Sequence, residues 1–126
     1  MQTTQLRTLG RSGIKVSPMG LGCWAIGGPF WDGTTPLGWG EVDDEESIRA
    51  IHVGLDLGIT LFDTANVYGA GHSERVLARA LGGKRTQAVV ATKFNAVFNE
   101  TTRQVMGADT SPAGMGVSGN GGRALD

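Results

Sequence analysis

The sequence predicts an α/β fold built on a parallel sheet, and three observations carry that expectation. Short apolar or β-branched runs alternate with two helical segments, glycines punctuate the junctions, and charged residues close two of the runs. With 126 residues the chain suits one domain on the usual scale of about 100–200 residues. Alternation alone does not separate an open sheet from a closed barrel.

Taken in order, residues 5–17 (QLRTLGRSGIKVS) read as two extended runs joined by Gly10-Arg11-Ser12-Gly13, a hairpin signal. Residues 18–28 (PMGLGCWAIGG) are apolar and too short for a typical helix, so they read as a buried strand entering a glycine-rich loop. Residues 29–42, with two prolines, three glycines and two tryptophans, read as a loop. The clearest helix is 43–57: Asp43 or Asp44 caps it, Glu45 and Glu46 complement the dipole, and Gly58 stops it. Ile48, Ile51 and Leu55 give it one apolar face. Residues 59–63 form the next strand. A second helix starts at Ser73-Glu74 and ends at Gly82-Gly83, burying Val76, Leu77, Ala80 and Leu81. Residues 88–94 (AVVATKF) close the series as a third buried strand.

Composition narrows the function classes. A formal net charge of −1 offers no field for nucleic acid or an acidic membrane surface. A lone cysteine, Cys23, excludes an internal disulfide and a multi-cysteine metal site, and no metal is expected. The N-terminus lacks a basic region followed by an apolar run, and no stretch reaches the roughly 20 apolar residues of a membrane span. A reducing, cytoplasmic setting is the expectation.

Parallel α/β folds carry their chemistry at the C-terminal ends of strands. Asp63 closes the second strand and Lys93 the third, so the two ends are expected to be neighbours and to form an ion pair. Tyr68, the only tyrosine, follows five residues after Asp63. A free phenol has a pKa of about 10 and donates poorly near neutrality, but a nearby ammonium stabilises the phenolate and suits the group to general-acid work. By spacing alone the same residues also fit a solvated lysine, a helix-capping aspartate and a half-buried tyrosine. In the third strand Val89, Ala91 and Lys93 share one face.

The segment DTANVYGAGHSERVLARAL, residues 63–81, resembles the aldo-keto reductase signature: an Asp-Thr-Ala lead, then Tyr-Gly, then Ser-Glu. GLGCWAIGG and VVATKF fall where that family has its first and third barrel strands, and LRTLGRSGIKVSPMGLG resembles the N-terminal hairpin that plugs the barrel bottom. The resemblance covers roughly residues 5–112. It implies a (β/α)8 TIM barrel, of which this chain carries the hairpin and the first three strands. It also implies NADPH-dependent reduction of a small-molecule aldehyde or ketone. Tyr68 would donate the proton to the carbonyl oxygen, Lys93 would support the phenolate, and Asp63 would pair with Lys93. Cys23 and Trp24 resemble positions that touch the nicotinamide end of NADP(H), as does Asp63. Cys23 otherwise reads as a small buried residue, and Trp31 and Trp39 as pocket-lining or loop-packing groups.

The family's fourth catalytic residue, a histidine ending the fourth strand, has no counterpart here. His52 lies inside the first helix and His72 beside the start of the second. The family's phosphate-binding loops follow its last two strands, and neither GGPFWDG nor GLGCWAIGG has the GxGxxG spacing of a Rossmann fingerprint that would replace them. The sequence therefore reads as the N-terminal portion of a longer barrel. Asp109, Ser111 and Pro112 signal a third helix. The following GMGVSGNGGRALD is too glycine-rich for one, each glycine costing about 1 kcal/mol against alanine. The expected division is 1–112 as barrel and 113–126 as an irregular tail, read out of frame, within a region (107–126) expected to be irregular throughout. Two other readings remain: a non-catalytic binding or regulatory module with the family's surface, and a fragment without function.

Overall fold

The computed structural model describes residues 5–114. The N-terminal hairpin pairs β1 (Arg7–Thr8) with β2 (Lys15–Val16), and Gly10 and Gly13 take the positive φ its turn requires. It is tied to the start of the second core strand by Ser17 N–H donating to Thr60 Oγ1 at 2.8 Å. That contact lies at the opposite end of the strand from Asp63.

The core is a three-stranded parallel sheet of β3 (Gly20–Gly22), β6 (Leu61–Asp63) and β7 (Val89–Ala91), in that spatial order. Gly20, Leu61 and Val89 lie side by side, as do Gly22, Asp63 and Ala91. The period of two sends Leu21, Phe62 and Val90 to the other face. There they meet Ile51 of α1 (Asp44–Asp56) and Val76, Leu77, Ala80 and Leu81 of α2 (His72–Leu81). Phe62, Ile51 and Leu77 are 0 % exposed, each worth about 1.5–3 kcal/mol of transfer free energy. The helices thus cover one face of the sheet. On the opposite face Gly20, Gly22, Asp63, Ala91 and Lys93 are exposed and Leu61 and Val89 half-buried. The face shared by Val89, Ala91 and Lys93 is the one that a closed barrel would turn inward.

Helix α1 is capped as its sequence requires: the Asp43 carboxylate accepts from the amides of Glu45 (2.9 Å) and Glu46 (3.3 Å). Helix α2 begins one residue earlier than expected, at His72, behind Gly71 at φ 89°. No side chain caps it, because the N-cap residue is Gly71, and the Ser73 hydroxyl inside the first turn is directed into the core. The two histidines tie the helices: His52 Nε2 lies 2.7 Å from Ala80 O, and His72 Nε2 2.8 Å from Asp44 Oδ1.

The expected loop over residues 29–42 is largely strand, and so is the segment after Lys93. Within residues 29–42, β4 (Phe30–Asp32) and β5 (Thr35–Leu37) form a hairpin. Its two-residue turn opens with Gly33 at φ 61°, and Pro36 is tolerated because β5 is an edge strand. After Lys93, β8 (Ala96–Asn99) and β9 (Gln104–Ala108) form a second hairpin, so residues 107 and 108 are ordered as strand. Its turn is organised by Asn99 Oδ1, which accepts from the amides of Thr101 and Thr102 at 2.9 Å. Pairing of β4 with β9 joins the hairpins into one four-stranded sheet, and Arg103 fastens it by donating to Pro29 O at 3.0 Å. The expected third-helix start is present: residues 112–114 are helical, with Gly114 N–H donating to Ser111 Oγ at 3.1 Å. The rest of the expected tail, 115–126, lies outside the described residues.

Candidate active site

The ends of β6 and β7 bring Asp63 and Lys93 together. Lys93 lies two residues past Ala91, and its Nζ reaches both Asp63 carboxylate oxygens at 3.1 Å and Thr64 O at 2.8 Å. The same ammonium stands 5.2 Å from the centre of the Tyr68 ring. Burial opposes the charge on Lys93, but the hydrogen-bonded, negatively charged Asp63 carboxylate, with the nearby Tyr68 phenol adding to it, outweighs burial and raises the ammonium above its ordinary value of 10.5. Lys93 therefore remains a fixed positive charge across the neutral range.

Tyr68 is placed by backbone packing. The loop Trp24–Gly28 lies directly against Tyr68 and Gly69: a Cβ on Gly27 would sit 2.8 Å from Tyr68 C and 2.9 Å from Gly69 N. A Cβ on Gly69, whose φ is 63°, would collide with the Gly27 carbonyl. Only glycine fits either position, so the two loops lock the tyrosine over the end of β6. The Trp24 ring stacks on Tyr68 at 6.1 Å with 23° between planes, and Trp39 meets Trp24 edge-on at the same distance. Trp31, by contrast, stands in β4 opposite Pro36 and Gln104.

The two neighbours Cys23 and Trp24 part company. Trp24 is 44 % exposed, whereas Cys23 is 0 % exposed on the helix side of the sheet. Burial and the Asp63 charge push the Cys23 thiol up to about 12, against a smaller opposing effect of Lys93. It is not a nucleophile at neutral pH. Among the described residues no group of three or more His, Cys, Asp or Glu side chains is placed to hold a metal, and no helix is long and apolar enough to cross a membrane.

The sequence pattern did not expose the buried polar contacts beneath these residues. Ser73 Oγ donates to Cys23 O at 2.7 Å and lies 2.8 Å from Thr64 Oγ1, and Thr92 Oγ1 donates to Glu74 Oε1 at 2.6 Å. A Ser-Glu pair at a helix start ordinarily signals capping; here both side chains turn inward.

The open strand-end face carries an Asp–Lys pair against a loop-borne tyrosine, at the end of the strands where parallel β/α folds hold their chemistry. The aldo/keto reductase family profile matches residues 18–119, and the chain belongs to that family. It is 48 % identical over 84 residues to the aldo-keto reductase YhdN of Bacillus subtilis, covering 65 % of this chain but 23 % of that protein. The fold superimposes on the holo form of aldo-keto reductase AKR11C1 from Bacillus halodurans with a TM-score of 0.78 and 27 % identity, covering 98 % of this chain and 37 % of that one. An aldo-keto reductase from Klebsiella pneumoniae in complex with NADPH gives 0.63 and 26 %, covering 90 % and 32 %. The chain thus spans about a quarter to a third of the length of these relatives, and its three core strands are part of a (β/α)8 barrel.

Proposed function

We propose that this chain carries the acid–base corner of an NADPH-dependent reductase of small aldehydes or ketones, with the remaining barrel strands supplied by further sequence. The convergence of the Lys93 ammonium on Asp63 and Tyr68 at adjacent strand ends carries this reading. When bound, NADPH supplies a hydride to the carbonyl carbon, and the oxygen left behind needs one proton. Tyr68 gives it. Lys93 is held charged by Asp63 and so cannot be the donor, but it faces the phenolate that the transfer leaves. The exposed pair is worth little to stability, and closure of the barrel over it would strengthen the same interaction by excluding water.

The residues present fit one end of the cofactor. The open face is floored by Gly20 and Gly22, and a Cβ on Gly22 would meet nothing within 4 Å. That leaves a bare surface beside Asp63, with the exposed Trp24 at its rim. Trp24 and Asp63 would border the nicotinamide, while Cys23 supports the floor from behind. The relative crystallised with NADPH supports the choice of cofactor.

The test joins residues 1–112 to the later strands of the Bacillus subtilis relative and follows NADPH oxidation with a model aldehyde. Turnover by the hybrid and none by the 126-residue chain is the expected result. A folded hybrid that binds NADPH but reduces no carbonyl would favour a non-catalytic module.

A further inference from the structure

We propose that Ser73 is a positioning residue: a buried hydroxyl relay from Thr64 through Ser73 to the Cys23 carbonyl fixes Lys93 relative to Asp63 and Tyr68. The inference rests on the functional reading of those three residues. The direction of the relay follows from what each atom can do. Cys23 O only accepts, so the single Ser73 hydroxyl proton goes to it, at 2.7 Å. Ser73 Oγ must then accept from Thr64 Oγ1, at 2.8 Å. Thr64, Ser73 and Cys23 are all 0 % exposed, so no water replaces either bond.

Each end of the relay leads to a site residue. Thr64 follows Asp63, and its carbonyl receives Lys93 Nζ at 2.8 Å. Cys23 precedes Trp24, whose ring stacks on Tyr68. The Ser73 amide donates to Tyr68 O at 3.1 Å, so the segments bearing Trp24, Asp63 and Tyr68 all meet at one serine. Next to it Glu74, 4 % exposed, receives the Thr92 hydroxyl and anchors the residue before Lys93. The first turn of α2 therefore gathers the C-terminal ends of all three core strands.

The full chain, labelled with ¹³C and ¹⁵N at lysine, reports on this through the NMR titration of the Lys93 side chain. In Ser73→Ala and in the near-isosteric Thr64→Val, the Lys93 midpoint should fall by about half a pH unit or more from its wild-type position, as the contacts that raise it loosen. Thr64→Ser, which keeps the hydroxyl, should restore it. Folded variants with the wild-type midpoint would overturn the proposal. So would loss of folding in Thr64→Val, since the relay would then be a folding determinant and nothing more. Turnover is read separately in the hybrid barrel. A wild-type hybrid that reduces no carbonyl defeats the functional reading and leaves the Lys93 result standing.

Discussion

Alkylation of Cys23 probes how the sheet is built beneath the site. Cys23 is the only cysteine, so mass alone reports its modification. At pH 8 a thiol of ordinary value, 9.0, is ionised to roughly one part in ten, and one pushed up to about 12 to roughly one part in ten thousand. Ionisation alone therefore slows iodoacetamide by about a thousandfold in the folded chain relative to the same chain in urea. Steric exclusion of a 0 % exposed sulfur adds to that. The native rate should also climb about tenfold per pH unit up to the raised value. Because burial is the leading cause and the Asp63 charge the second, Asp63→Asn should speed the reaction only modestly. A native rate within about tenfold of the unfolded rate would refute the placement of Cys23 on the helix side of β3.

Other consequences follow from the same contacts. Gly27→Ala places a Cβ 2.8 Å from the Tyr68 backbone, which has no flexible end to yield, and should cost about 1–3 kcal/mol in urea unfolding. An unchanged midpoint would mean that the two loops do not touch. The Lys93 ammonium is raised on folding, so its pair with Asp63 contributes fully below the unfolded value of 10.5 and is lost as pH rises through the higher folded value. The melting advantage of wild type over Lys93→Met should therefore be small and steady near neutrality and vanish under strong alkali; an advantage that grows with pH contradicts the pairing. For the tail, translation of the gene in all three frames past the Ala113 codon should give, in one frame, an amphipathic helix and then an apolar strand ending in histidine. Absence of that pattern from every frame would mark the tail as genuine and favour a non-catalytic role.

Much of the scaffold was legible because its residues repeat at the period of the element they form. Ile48, Ile51 and Leu55 mark α1, Val76, Leu77, Ala80 and Leu81 mark α2, and all pack on one core. Asp63 and Lys93 could be placed together because Asp63 ends one strand, Lys93 follows two residues after the end of the next, and the two strands are neighbours. The two hairpins on the site side were missed for a physical reason. Their strands are three to five residues long and largely exposed, so they have no hydrophobic period, and turn chemistry at Gly33 and Asn99 specifies them instead. The inward turn of Ser73 and Glu74 was hidden too. Capping and burial use the same residue types, and only the proximity of Cys23 O and Thr92, 50 and 18 residues away in sequence, decides between them.

The central claim is that Tyr68 gives the proton, and Tyr68→Phe in the hybrid barrel tests it most directly. The substitution removes one oxygen and keeps the ring that stacks on Trp24. Turnover should fall by about 10²–10⁴-fold while NADPH affinity stays close to that of the unsubstituted hybrid. Unchanged turnover would contradict the account.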